Sequence, residues 1–246
     1  MASYLLLFVA VFLGFAAMHA VVLAALTALL RWRGAAGPDL TPGRAGLVRA
    51  LEFVAAESAL LTLALASGLV PLAPFALLPA LVVPAVSLIW WEVWFYAGHR
   101  LLHTRWLYRW HHPHHAEHGV HPSLAFGAGE TALLSAGFYL PLVVAARLPG
   151  GVSAVTLALT FTAAYVLNVL SHLGPGALGE RGEAMLAHLG CAPRYHAAHH
   201  RLGRGNYGLV TPWLDVLCGT KVRDEEAPQA PRTARRVPRR ARVQAA

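Results

Sequence analysis

Long apolar blocks separated by polar segments dominate the chain, and no stretch alternates with the period of two that marks a strand. From Ala2 to Leu30 there is no Asp, Glu, Lys or Arg, and the run stops at Arg31-Trp32-Arg33. This exceeds the roughly 20 residues a helix needs to cross a bilayer, so the block is expected to span the membrane. A signal peptide would need a basic start and a shorter apolar core, whereas Met-Ala-Ser-Tyr carries no positive charge; retention as a span is expected. A second block covers about 51–70, with Glu52 and Glu57 near its start. A third covers about 71–96, with Pro71, Pro74, Pro79 and Pro84 in its first half. The stretch from Gly68 to Pro74 is expected to turn these two into a helical hairpin. A fourth block covers 131–146, Leu148-Pro149-Gly150-Gly151 supplies a turn, and a fifth covers 152–170. The pattern predicts an all-α integral membrane protein with four to five transmembrane helices.

Composition agrees. Hydrophobic residues make up 57% and charged residues 13%, against about 25% charged in a soluble domain. That excludes a disordered chain and a collagen and argues against a water-soluble globule. Cys191 and Cys218 are too few for a disulfide framework and lack ligand spacing. The net charge of +8 is unevenly placed. With five crossings, the segments after blocks one, three and five share one side, and with the tail they hold every Lys and Arg except Arg147. The excess marks that side as cytoplasmic, in a bacterial inner membrane or its equivalent. The histidine clusters fall on the same side, as a helical cap. From Lys221 to Ala246 the chain is Pro-, Ala- and Arg-rich without apolar periodicity. This tail is expected to be disordered and to touch anionic lipid rather than nucleic acid, leaving 1–220 as one membrane-embedded domain.

The 14 histidines carry the candidate chemistry. His99 and His103 form H-x-x-x-H; His111, His114 and His115 form H-x-x-H-H; so do His196, His199 and His200. At this histidine frequency about 0.04 such triplets are expected by chance, and two occur, so the pattern is a signal. Residues at i, i+3 and i+4 share one helix face, so each triplet is expected to present three imidazoles to one point. Imidazole suits Fe, Zn, Cu and Ni, and eight or more rings exceed what one ion accepts. A dimetal site between helices follows. His172 ends the fifth block with Asn168 one turn earlier, so both are expected to face the same pocket. His112 points about 100° from His111 in an ideal helix. His118 lies on the His111 face but beyond the disturbing Pro113. His121-Pro122 suits a turn, and His19 and His188 suit structural roles. Whether His112, His118, His121 or His188 joins the ligands stays open. Glu92 shares a helical series with Tyr96, His99 and His103. Its expected work is to accept an N–H from a ligating imidazole and fix that ring's tautomer.

These residues resemble the fatty acid hydroxylase superfamily, which includes the sterol desaturases. The resemblance lies in Glu92-x-x-x-Tyr96-x-x-His99-Arg100-x-x-His103, His111-x-x-His114-His115, Asn168-x-x-x-His172 and His196-x-x-His199-His200. It continues in Asn206-Tyr207-Gly208 and in Trp213 to Thr220, covering roughly 90–220. Glu92 stands where Asp is common, Cys218 where an aromatic often lies, and Leu214 is an extra residue between Trp213 and Asp215. The resemblance implies a membrane di-iron oxygenase that hydroxylates or desaturates a lipid such as a sterol, fatty acyl chain, alkylglycerol or carotenoid. It implies two Fe ions (zinc being a substitute in a purified sample), O2 as co-substrate, and a separate cytochrome b5-like or ferredoxin-like electron donor. By that analogy the metal ligands are His99, His103, His111, His114, His115, His172, His196, His199 and His200, with Asn168 and Glu92 as the catalytic candidates beside them.

Two other classes are weighed against this. A zinc-dependent membrane hydrolase would usually include carboxylate ligands and need fewer histidines. A metal transporter or sensor would place its ligands near the bilayer midplane, whereas these clusters lie beyond the block ends. Candidate walls of a lipid pocket are Trp90, Trp91, Trp94, Phe95, Phe126, Phe138 and Tyr139.

Overall fold

The computed structural model describes residues 2–32, 44–116, 125–173, 177–188 and 193–222. Ten helices occur among them: α1 (Ala2–Trp32), α2 (Arg44–Ala66), α3 (Leu77–Leu102), α4 (Tyr108–Ala116), α5 (Ala128–Ala136), α6 (Tyr139–Ala145), α7 (Ala154–Ser171), α8 (Gly179–His188), α9 (Pro193–Leu202) and α10 (Trp213–Leu217). The described residues contain no strand; Leu72 and Val152 form an isolated parallel bridge. His118, His121, Cys191 and the tail beyond Val222 lie outside the described residues.

Three helices, α1, α3 and α7, are long and apolar enough to cross a membrane, and α5 with α6 makes a fourth if the bent pair is one span. The protein is thus an all-helical membrane protein. The second block differs from the rest. Arg49 and Glu52 pair at 2.9 Å near the start of α2, and Glu57 is buried further along. These charges keep α2 out of the membrane-length apolar set. Its ends nevertheless lie at the same two levels as its neighbours'. Arg49 stands beside Gly127 and Glu130 at the start of α5, while the carbonyls of Gly68 and Leu69 accept from Arg147 at 3.1 and 3.2 Å. The expected turn exists at 67–76, but it does not produce a closely packed hairpin. α2 packs chiefly on α1 and α5, and α3 on α7.

The 41° bend between α5 and α6 has a local cause. Pro141 has no N–H to give the carbonyl of Gly137, which takes the Leu140 N–H at 3.1 Å and keeps room for a second donor. The indole N–H of Trp90 donates to it at 2.9 Å, and that of Trp94 donates to Leu133 O at 2.9 Å. Gly137 is required there, because a Cβ would lie 2.0 Å from the Trp94 ring. Trp90 and Trp94 are thereby fastened to the bend. At the start of α7, the Ser153 hydroxyl accepts from the Thr156 N–H at 3.1 Å as an N-cap. One apolar cluster, including Phe15, Leu61, Phe138, Leu142 and Phe161, fills the end of the bundle near this cap. A second, around Phe95, Phe126 and Leu209, lies under the histidines.

Candidate metal centre

All nine histidines expected as ligands come together, in two groups. His99, His103, His111, His115 and His199 form one; His114, His172, His196 and His200 form the other. Within each group, one nitrogen per ring lies within 4.8 Å of the others. The end of α3, the short helices α4 and α9, and the C-cap of α7 supply them.

The triplets do not each converge on one point, as spacing alone suggests. His111 and His115 belong to the group of five while His114 joins the group of four; His196 and His200 belong to the group of four while His199 joins the five. Helix geometry explains the division. At about 100° per residue, i and i+4 diverge by about 40°, whereas i+3 falls about 100° from i+4 on the other side. Helices α4 and α9 therefore straddle the two centres, each sending its i, i+4 pair to one and its i+3 ring to the other. His112 is exposed, its ring packed against Tyr108. His188 is exposed and bonded to its own helix at Ala184 O. Neither belongs to a group.

The rings are oriented from outside. Nδ1 of His99 meets Tyr207 O at 2.8 Å, His172 meets Asn168 O at 2.7 Å, His196 meets Gly208 O at 3.2 Å and His199 meets Gly205 O at 2.5 Å. His111 Nδ1 meets Glu130 Oε1 at 2.5 Å. Fixing the hydrogen on Nδ1 leaves Nε2 as the lone-pair nitrogen facing inward. These inner atoms crowd together: His99 and His111 Nε2 are 2.9 Å apart, and His199 and His115 Nε2 are 3.1 Å apart. Neutral imidazoles in such contact need a cation between them or shared protons. His196 Nε2 and both nitrogens of His200 are buried without a hydrogen-bond partner among the described residues. Burial holds the imidazoles of His103, His115 and His172 down to about 4. Burial, then the neighbouring rings, holds His111, His114, His196, His199 and His200 well below the usual value. The neutral form so favoured is the metal-binding form. The residues present fit two metal ions.

Glu92 works differently from the sequence expectation. Its carboxylate accepts from the backbone N–H of Val210 at 3.2 Å, from that of Thr211 at 2.8 Å and from the Thr211 hydroxyl at 3.0 Å, not from an imidazole. It pins the loop whose carbonyls at Tyr207 and Gly208 hold His99 and His196, so it acts one residue removed. Asp215 holds the same loop from the other side. It accepts from the N–H groups of Tyr207 and Gly208, each at 2.8 Å, from the Thr220 hydroxyl at 2.7 Å and from the Tyr195 hydroxyl. Asn206 turns the chain with φ 51°, and its side-chain oxygen takes the Val222 N–H at 2.8 Å. A Cβ on Gly208 would lie 2.5 Å from Thr211 O, so the close approach of this loop requires glycine. Asn206-Tyr207-Gly208 and Asp215 are thus a scaffold for the imidazoles. Glu130 has no counterpart in the sequence reading. The signal was an ionisable residue at the edge of an apolar block, the argument already used for Glu92.

An apolar cavity lies beneath the histidines, lined by residues of α1, α2, α3, α5 and α7. Of the expected walls, Trp91, Phe95, Phe126 and Phe138 line it. Tyr139 packs against Phe138 and Phe161 instead. The cavity meets the metal centre at Asn168, at Phe126, whose ring lies 4.4 Å from His114, and at Phe95, 5.1 Å from His99. His19 lines it too, its ring 3.9 Å from that of Tyr165 and its Nδ1 bonded to Phe15 O.

The sequence model of the family described as fatty acid hydroxylase matches residues 84–220, which contain all nine histidines. The chain belongs to the fatty acid hydroxylase family. Its curated relatives include Protein CER1-like 2 of Arabidopsis thaliana, 32% identical over 140 residues. They also include Very-long-chain aldehyde decarbonylase GL1-1 of Oryza sativa subsp. indica, 30% identical over 135 residues. Each alignment covers 52% of this chain and 22% of the relative, so the matched part spans about a fifth of these relatives' length. No solved structure matches the chain. The matched region begins within α3 and ends just after α10, so α1 and α2, which close the cavity, lie outside what defines the fatty acid hydroxylase family.

Proposed function

We propose that this chain is an O2-dependent oxidoreductase that hydroxylates or desaturates a membrane lipid at a pair of irons. The observation that carries the reading is the gathering of nine imidazoles, as five and four, at the mouth of an apolar cavity. His99, His103, His111, His115 and His199 would hold one ion, and His114, His172, His196 and His200 the other. Bound there, iron supplies the O2-dependent redox chemistry needed to open an unactivated C–H bond, with electrons from a separate cytochrome b5-like or ferredoxin-like donor. The aromatic walls hold the lipid chain and exclude water. Asn168, on the cavity wall one turn from His172, directs the reacting carbon or a water toward the group of four. Glu92 and Asp215 keep the loop carbonyls, and hence the rings, in register. The asymmetry of Lys and Arg supports a cytoplasmic position for this centre.

A hydrolytic zinc site is disfavoured because neither group contains a carboxylate among the described residues. A second lipid reading comes from relatives named as aldehyde decarbonylases: the substrate would be a long-chain aldehyde that loses its terminal carbon. Anaerobic purification, metal analysis and reductant-dependent O2 uptake with a lipid extract test the proposal. Two irons with lipid-stimulated O2 use are expected, and stoichiometric zinc with no O2 use would overturn it. Lipid mass spectrometry of cells with and without the protein separates the reactions. A gained oxygen marks hydroxylation, two lost hydrogens desaturation, and a lost carbon and oxygen the aldehyde reaction.

A further inference from the structure

The cavity is not uniformly apolar. On its α2–α5 wall the Ser135 hydroxyl donates to Glu57 Oε1, and Thr131 lies one turn before Ser135 on the same face of α5. Glu57 Oε2 and Thr131 Oγ1 have no hydrogen-bond partner among the described residues, although Glu57 is only 8% exposed and Thr131 only 1%. Buried polar atoms are almost always paired, because leaving one unpaired forfeits its hydration without return. The rest of the lining is largely aromatic and aliphatic, including Phe15, Leu134, Phe138 and Phe161. Two orphaned oxygens in such a wall mark the place of a polar group brought in by a ligand.

We propose that Glu57 and Thr131 form a hydroxyl-binding subsite, and that the lipid held in this cavity carries a hydroxyl group away from the carbon that reacts. A hydroxyl both donates and accepts, so it completes Glu57 Oε2 and Thr131 Oγ1 together. The depth of the subsite sets the spacing. Thr131 is the residue after Glu130, which touches His111, and Ser135, which holds Glu57, is five residues beyond Glu130. At 1.5 Å per residue along α5 the subsite runs from about 2 Å to about 8 Å beyond the level of that contact. An unsubstituted hydrocarbon would leave both oxygens unpaired. The inference rests on the reading that this cavity holds the substrate, and it narrows that substrate to hydroxylated lipids.

The test is a binding measurement on the full chain in detergent micelles: displacement of a fluorescent fatty acyl probe by hexadecane and by hexadecanol. The ratio of the two affinities within each variant cancels partition into the micelle. Glu57→Leu is expected to reduce the preference for the alcohol about tenfold, the scale of one buried hydrogen bond lost. The near-isosteric Thr131→Val is expected to reduce it in the same direction, and it decides the matter if the Glu57 variant does not fold. An alcohol preference unchanged in the folded variants overturns the proposal. No turnover is needed, so absence of O2 use would sink the oxygenase reading alone, while an unchanged ratio in an active enzyme would sink this one alone.

Discussion

Glu130→Ala removes the group that holds His111 Nδ1 at 2.5 Å while leaving all nine rings in the chain. Its magnitude can be worked from the site. Partners of ligating histidines are worth about 10–100-fold in metal affinity, which is about 1.4–2.7 kcal/mol. The upper half of that range is expected, because a contact between side chains 1% and 0% exposed is little screened by solvent. The other Glu130 oxygen has no hydrogen-bond partner among the described residues, so the truncation acts chiefly through His111. Glu130→Gln keeps an acceptor of the same reach and should lose well under tenfold. The assay titrates metal-loaded protein with a chelator and counts the metal retained, with thermal unfolding as a control for the fold. One of the two metals, that of the five-histidine group, should leave at roughly 30-fold lower chelator in the Ala variant. A folded Ala variant that keeps both metals like wild type refutes the reasoning, and so does a Gln variant as leaky as Ala.

Three further outcomes follow from the same geometry. Gly208→Ala puts a methyl 2.5 Å from Thr211 O and must displace the carbonyl that holds His196; a loss of about 2 kcal/mol or more in chemical unfolding, with reduced metal content, is expected. His200→Ala should lower bound metal from two ions toward one, whereas His112→Ala and His188→Ala, whose side chains are exposed and outside both groups, should leave elemental analysis unchanged. Ala164→Phe fills the cavity wall while leaving all nine histidines of the two groups in the chain; metal content should persist while lipid-stimulated O2 uptake falls at least tenfold, the scale of overpacking a bound chain.

The all-helical class, the membrane setting and the histidine clusters were legible in the sequence because each rests on local periodicity. Charge-free runs longer than the bilayer and rings repeated at i, i+3 and i+4 are properties of single helices, and a single helix is written contiguously. The division of the rings into five and four was not legible. It depends on α4 and α9 lying between two centres, so that a 100° offset within one helix becomes membership of a different site. Glu92 was recognised as exceptional, but its target was not, since Val210 and Thr211 are more than a hundred residues away and meet it only when the loop folds back. Glu130 was passed over and Trp90 and Trp94 were placed on the cavity for the same reason. Whether a side chain at a helix edge faces a ring, a void or a bend forced by Pro141 is decided by its neighbours in space. Local spacing determined which groups could bind metal; tertiary packing alone decided which of them could share an ion, which carbonyls and carboxylates aim them, and where the cavity beside them lies.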